Sequence, residues 1–246
     1  MRAILTFHSI DDSGSVLAYS PSFFSQLIQS LEEIKIPVLD LDVLLQPQTS
    51  RGVAITFDDG MQSVHRHALP VLQEHGIPAH LFLATGAAGD DRPWPRDPCD
   101  GHTFRMLDWD ELEALHTAGV HIESHTHTHP DMRSLSIERM QEECEQADSM
   151  IEHRLGRRPQ YFAYPFGYHN RKVRDFARNR YRGTVTTELR TLASDADPAV
   201  LPRLDSFYLQ SPLMIRNFGS LPVSGYLALR NVLRNWKGSQ CRADCD

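Results

Sequence analysis

The sequence predicts a single α/β domain in which about seven parallel β-strands close into a barrel with helices packed outside. Short apolar segments of strand length alternate along the 246 residues with amphipathic segments of helix length, and this alternation is typical of a parallel sheet covered by helices. Seven such units in one domain favour a closed barrel. An open doubly wound sheet is the alternative, although the chain has no G-x-G-x-x-G loop to mark a nucleotide-binding turn.

Each predicted strand is a short apolar run bounded by polar or turn residues. Six of them lie at residues 3–7, 53–57, 79–83, 120–123, 161–164 and 183–187, and a weaker seventh lies around 204–209. Between them we predict helices at 21–34, 64–74, 110–118, 137–155 and 170–178. Ser20 or Ser22 is expected to cap the first helix and Ser136 the fourth, while Gly76 and Gly119 are expected to end helices.

Two segments fall outside this repeat. Residues 86–106 are rich in Gly, Asp and Pro, and a loop of this length in a compact domain is usually functional or disordered. Residues 226–237 have the pattern of a basic amphipathic helix, and the polar tail after it contains Cys241 and Cys245, too few ligands for a zinc site. We predict a barrel over 1–216 and a helix with a polar tail over 217–246. Closing a barrel end is the favoured role of this helix, and peripheral membrane contact is the alternative.

The composition restricts the class of protein. With 41% hydrophobic and 23% charged residues, the chain is typical of a globular protein. A net charge of −7 indicates no electrostatic surface for nucleic acid. The N-terminal apolar stretch is too short for a signal peptide, and no segment is long and apolar enough to span a membrane. These features predict a cytoplasmic protein, with peripheral contact at the inner membrane face as an extension.

Polar residues gather where the predicted strands end. In a parallel barrel the loops at the carboxyl ends of the strands carry the chemistry. The first strand is followed by His8, the second by Asp58–Asp59–Gly60, the fourth by His-Thr-His-Thr-His at 125–129, the fifth by Pro-Phe-Gly at 165–167, and Leu-Pro-Arg stands at 201–203. The sequence therefore predicts an active site on one rim of the barrel.

His125 and His129 are predicted to bind one metal ion. Four residues apart on a helical turn, they would share a face. A carboxylate from Asp59 would complete a three-ligand site that leaves a position for water, whereas His127 would point elsewhere. The adjacent Asp58 can reach the same rim and act as a general base toward the coordinated water.

Three motifs resemble those of the polysaccharide deacetylases, the NodB-homology domains of carbohydrate esterase family 4. They are Thr-Phe-Asp-Asp-Gly at 56–60, Ser-His-Thr-His-Thr-His-Pro at 124–130 and Phe-Ala-Tyr-Pro-Phe-Gly at 162–167. They occur in the family's order, and the resemblance covers residues 1 to 210, roughly the predicted barrel. It implies a distorted, TIM-like (β/α) barrel.

The resemblance also implies residue roles. Asp58 would be the catalytic base, and Asp59, His125 and His129 would bind the metal with Thr126 beside them. The backbone N–H of Phe166 would stabilise the oxyanion of the transition state.

The chain departs from the family pattern at two places. Many members carry an Arg where this chain has Ala163, and Arg203 is our candidate to orient the base instead. The family's general acid is a His in the last motif, but no histidine follows His169 here. His8 is the favoured substitute and His169 the second candidate. Metal polarisation or a protonated Asp58 is the alternative to both.

Together these features predict a metal-dependent hydrolase that removes an N-acetyl group from an amino sugar in a polysaccharide, an oligosaccharide or a lipid-linked precursor. Zn²⁺ suits the two His and one Asp best, but Co²⁺, Ni²⁺, Fe²⁺ and Mn²⁺ suit them too. Four aromatic residues are candidates to stack on a sugar ring: Trp94, Trp109, Phe166 and Tyr168. For Trp109, packing of the helix is the favoured role. The alternatives are a deformylase or amidohydrolase acting on a non-sugar amide, and a non-catalytic metal-binding barrel.

Overall fold

Seven parallel strands form a closed barrel in the computed structural model, which describes residues 1–89 and 103–243, with side chains described up to residue 233. In barrel order the strands are β1 (Arg2–Phe7), β4 (Gly52–Asp59), β5 (Ala79–Leu83), β6 (Val120–Ser124), β7 (Tyr161–Ala163), β8 (Gly183–Leu189) and β9 (Leu201–Asp205). β9 pairs with β1 through Leu5 opposite Leu204 and Thr6 opposite Asp205, which closes the ring. The predicted barrel is confirmed, and the open sheet is wrong.

The barrel is irregular. β6 and β7 pair only at Ser124 and Phe162, and the register between β8 and β9 shifts between Val185 and Leu189. A two-stranded sheet outside the ring, β2 (Ser9–Ile10) with β3 (Ala18–Tyr19), was not predicted from the sequence. The ring therefore has seven strands where a regular (β/α) barrel has eight.

The position of the last strand was wrong in the sequence prediction. The strand is β9, Leu201–Asp205, rather than 204–209, because Leu201 and Arg203 pair with β8. The strand ends at Asp205, whose side chain accepts a hydrogen bond from the Phe207 N–H and starts a 3₁₀ turn over Ser206–Leu209. Arg203 is thus an interior strand residue rather than a loop residue.

The helices are α1 (Pro21–Glu33), α2 (Leu41–Leu44), α3 (Leu69–His75), α4 (Trp109–Thr117), α5 (Ile137–Leu155), α6 (Arg171–Arg178), α7 (Pro212–Arg216) and α8 (Leu221–Ala243). The predicted helices are present within one or two residues at most ends, but that at 64–74 begins as a π-helical segment, Val64–Ala68, ahead of α3. Pro70 lies in the first turn of α3, and since it has no N–H it cannot continue a regular α-helical ladder back to Arg66.

Three of the predicted helix-end residues act as expected. Ser136 caps α5 by accepting from the Arg139 N–H, and Gly76 and Gly119 have φ of +61° and +94° after their helices. Ser20 precedes α1, but its hydroxyl bonds that of Ser22 instead of capping the helix. α4 begins at Trp109 because Asp108 and Glu111 form a reciprocal capping box that the sequence prediction overlooked.

The last helix packs one side on the barrel. Val223 and Leu227 of α8 are buried in the main hydrophobic core cluster, and α8 extends beyond the predicted 226–237 at both ends. The division into a barrel at 1–216 and a terminal segment at 217–246 stays a prediction. Among the described helices, none combines the length and hydropathy that crossing a bilayer requires.

Candidate metal and catalytic site

The residues predicted at the strand ends meet in one cavity of about 220 Å³. His8 lies just after β1, Asp58 and Asp59 end β4, and His125 and His129 follow β6. Apolar side chains form much of the remaining wall, namely those of Leu17, Met61, Phe104, Met106 and Phe166. The cavity therefore combines charged groups at its base with a largely apolar lining.

Asp59, His125 and His129 converge with the geometry of a metal site. The Nε2 atoms of His125 and His129 are 3.1 Å apart, and Asp59 Oδ1 lies 3.4 Å from the first and 3.6 Å from the second. His125 Nδ1 is 2.8 Å from the carbonyl oxygen of Ala163. Because that contact requires a proton on Nδ1, it leaves the Nε2 lone pair free for a metal. Two imidazole nitrogens and one carboxylate oxygen are the donors that a divalent transition metal takes.

The electrostatics of the three residues agree with a cation between them. Burial alone would lower the pKa of His125, but the hydrogen bond to Asp59 and the charges of Asp58 and Asp59 raise it. Burial and the neighbouring His125 lower the pKa of His129 to about 4, so this ring is neutral at pH 7, the form that binds metals. The buried carboxylates of Asp58 and Asp59 thus favour a positive charge beside His125.

The two histidines are brought together by a loop, and the predicted helical turn is wrong. Asp59, Thr126 and His129 have φ of +71°, +66° and +55°, left-handed values that cost non-glycine residues on the order of 1–3 kcal/mol each. Thr126 Oγ1 accepts a hydrogen bond from the His129 N–H at 3.0 Å, which folds the loop back on itself. Strain concentrated at the three positions indicates a constraint imposed by function.

Glu143 of α5 holds the same loop from outside. One of its oxygens accepts from the N–H groups of His127 and Thr128 at 3.1 and 2.8 Å, and the other accepts from the Thr128 hydroxyl at 2.8 Å. This buried carboxylate was missed in the sequence analysis, because nothing in the order of residues links position 143 to position 128. His127 points away from the cavity as predicted and contacts Thr85 and Gln146.

Asp58, in the same cavity as the Asp59, His125 and His129 cluster, forms a bidentate ion pair with Arg203. The guanidinium donates to the two carboxylate oxygens at 2.7 and 2.6 Å, and its Nε donates to the carbonyl oxygen of Thr186. Arg203 is 1% exposed. Burial would raise the pKa of Asp58, but the charge and hydrogen bonds of Arg203 outweigh it and hold that pKa below its usual range. Arg203 thus reaches the carboxylate from β9, as the sequence hypothesis required.

The remaining candidates occupy different places. Phe166 has φ of +60° and its ring lies edge-on to that of His129, with centroids 4.4 Å apart. His169 is exposed, stacks on Tyr164 and does not line the cavity, whereas His8 does. Tyr168 is 45% exposed.

Trp109 is partly buried against the main core cluster, in agreement with helix packing. Trp94 and most of the 86–106 loop lie outside the described residues.

The comparisons with known proteins agree with this site and fold. Residues 46–181, more than half of the chain, match the family model described as polysaccharide deacetylase. The poly-β-1,6-N-acetyl-D-glucosamine N-deacetylase of Staphylococcus epidermidis is 26% identical over 167 residues, which cover 63% of this chain and 54% of that protein. The matched part of this chain therefore spans about half the length of this relative.

Two solved structures share the fold. IcaB from Ammonifex degensii superposes with a TM-score of 0.72 at 23% identity, covering 94% of this chain and 97% of its own. Streptococcus pyogenes deacetylase PplD, in complex with acetate, gives a TM-score of 0.71 at 21% identity, covering 82% of this chain and 91% of its own. At these identities the likeness is one of fold.

Proposed function

Because this chain belongs to the polysaccharide deacetylase family, we propose that it is a metal-dependent hydrolase that removes the N-acetyl group of an amino sugar. One observation carries the proposal: a three-donor cluster of Asp59, His125 and His129 shares a cavity with Asp58, which is ion-paired with Arg203. A metal-binding module needs only the cluster. A second, separately oriented carboxylate is what hydrolysis adds.

Asp59, His125 and His129 would hold the metal. A divalent cation bound there would supply Lewis acidity, which polarises an amide carbonyl and makes water more acidic. Zn²⁺ is our first choice, and Co²⁺, Ni²⁺, Fe²⁺ and Mn²⁺ fit the same donors.

Asp58 is proposed to take the proton of the attacking water. The two hydrogen bonds from Arg203 support this role, because they keep the carboxylate ionised and fix its direction. Attack on the carbonyl carbon and breakage of the C–N bond yield acetate and the free amine. The Phe166 N–H is proposed to donate to the oxyanion and His8 to protonate the leaving amine. The place of His8 on the cavity wall, against the exposed position of His169, supports the choice of His8.

The substrate is proposed to be an N-acetylated glucosamine polymer, oligosaccharide or lipid-linked precursor. The name of the S. epidermidis relative supports the polymer as the first compound to test. The cytoplasmic location predicted from the sequence stays part of this proposal.

The testing experiment compares acetate release by the wild type and Asp58→Asn on N-acetylglucosamine oligomers, with metal content measured in both. We expect a loss of at least about 100-fold in kcat for the variant, the usual contribution of a general base, at equal metal content. Asp12→Asn, at an exposed aspartate after β2, is the matched control and should behave as wild type. Metal without acetate release from any sugar would shift the proposal to a deformylase or non-sugar amidohydrolase. No metal at all would overturn the site.

A further inference from the structure

The outer side of α8 presents an unusual concentration of exposed apolar side chains. Within the described residues, the four most exposed large hydrophobic residues are Leu221 at 89%, Leu213 at 73%, Val232 at 63% and Leu229 at 58%. Three of them are on α8 and the fourth is on the preceding α7. A monomeric protein rarely leaves such residues contiguous unless the patch serves an interaction.

The exposed residues share one face of the helix. At 100° per residue, Leu221, Tyr226, Leu229, Val232 and Leu233 fall within an arc of about 140°. Val223 and Leu227, which are buried in the core cluster, lie on the opposite arc. α8 is therefore apolar on both sides, and attachment to the barrel uses only one of them. We call the five exposed residues the outer face of α8.

The chain segment that contains the outer face has a charge opposite in sign to that of the whole molecule. The segment 206–243 contains five basic residues and no acidic one, although the chain as a whole has 32 acidic residues against 25 basic. Arg216 is exposed at the end of α7, and the Arg230 guanidinium lies 5.1 Å above the Tyr208 ring. The outer face is thus an apolar strip within a cationic segment.

We propose that the outer face of α8 docks the protein on an anionic lipid bilayer. Apolar side chains that enter the headgroup region and arginines that meet anionic headgroups are the two components of interfacial helix binding. A second copy of the chain fits less well, because a two-fold contact would bring two cationic segments against each other. This docking is independent of the proposed catalysis.

The test is co-sedimentation of the full chain with vesicles of phosphatidylcholine containing phosphatidylglycerol, and with pure phosphatidylcholine vesicles. We expect binding to the anionic vesicles that weakens as salt is raised. Leu229→Glu with Val232→Glu should reduce the partition coefficient at least about tenfold. Val43→Glu with Ile137→Glu, at exposed apolar residues elsewhere, is the matched control and should bind as wild type.

A second variant keeps the proposal testable if the first variant misfolds. Arg216→Gln with Arg230→Gln keeps the apolar strip and should weaken binding to anionic vesicles at low salt only. Absence of wild-type binding to anionic vesicles would overturn the proposal. So would unchanged binding of the Leu229→Glu, Val232→Glu protein, or a wild-type dimer that this variant dissociates.

Discussion

At the scale of residues, the ion pair with Arg203 keeps the Asp58 carboxylate ionised and fixes its direction. A guanidinium matches a carboxylate with two parallel hydrogen bonds, which a lysine ammonium cannot do. Arg203 stands on β9 and Asp58 at the end of β4, with β1 between them in the barrel. Position 163, where the family pattern has an arginine, is Ala here, and Arg203 reaches Asp58 from two strands away along the ring.

Arg203→Met should lower kcat about 100-fold while bound metal stays at the wild-type level, since the arginine contacts Asp58 and none of the three metal donors. Arg203→Lys should retain more activity, because it keeps the charge but loses the bidentate geometry. The measurements are steady-state kinetics and metal content. Arg190→Met, at an arginine on the surface beyond β8, is the control. Full activity in Arg203→Met would contradict the orienting role.

Arg203→Met should also lower the free energy of unfolding. Leaving Asp58 buried without its partner should cost about 3–5 kcal/mol, as for other broken buried ion pairs. A denaturant titration that shows no loss would mean that Asp58 is solvated or protonated in the variant.

At the scale of elements, the loop after β6 and helix α5 act together. The loop supplies both histidines, and α5 supplies Glu143, which accepts three hydrogen bonds from the loop. Supporting carboxylates of this kind set the orientation of metal ligands. The strained φ values at Thr126 and His129 persist because this support holds them.

Glu143→Gln should weaken metal affinity about 10–100-fold, because the amide can no longer accept all three hydrogen bonds. Competition with a chromophoric chelator would measure the change. Glu142→Gln, at the neighbouring and largely exposed glutamate of the same helix, should leave the affinity unchanged. Equal metal affinities in the two variants would show that α5 does not position the loop that carries His125 and His129.

At the scale of the whole molecule, surface ion pairs make stability depend on pH. Glu145 accepts from Arg180 and Arg158 at 2.6 and 2.8 Å, and these hydrogen bonds lower its pKa to about 2 from an ordinary 4.5. Hydrogen bonds from His121 and His80 likewise outweigh burial and lower the pKa of Asp40. Such groups stabilise the folded state above their unfolded pKa values, and the stabilisation is lost as the pH falls through the folded ones.

We therefore expect the free energy of unfolding to decline from about pH 5 toward pH 2, the window set by these two carboxylates. Glu145→Gln should cost less than about 1 kcal/mol at pH 7, since the pair is largely exposed, and the cost should shrink toward pH 2. Urea titrations at several pH values would measure it, with Glu33→Gln, at an exposed glutamate of α1, as control. A cost independent of pH would contradict the linkage.

Barrel closure is also a property of the whole molecule. It turns the ends of β1, β4, β6, β7 and β8 toward one cavity. Residues far apart in the chain, such as Asp58 and Arg203 at a separation of 145 positions, therefore come into contact. The side chains that pack these strands against the rest of the protein are aliphatic and aromatic. They specify the barrel but not its chemistry.

The sequence alone determined the barrel, six of the seven strands and the three residues that converge as candidate metal donors, because hydrophobic periodicity and residues adjacent at strand ends are local signals. Only the tertiary structure decided the bounds of β9, the left-handed loop that joins His125 to His129, and the role of α5 beneath it. It also separated His8, on the cavity wall, from His169, on the surface. Each of these depends on contacts between segments far apart in the chain, and the energy of such contacts is not written in the order of neighbouring residues.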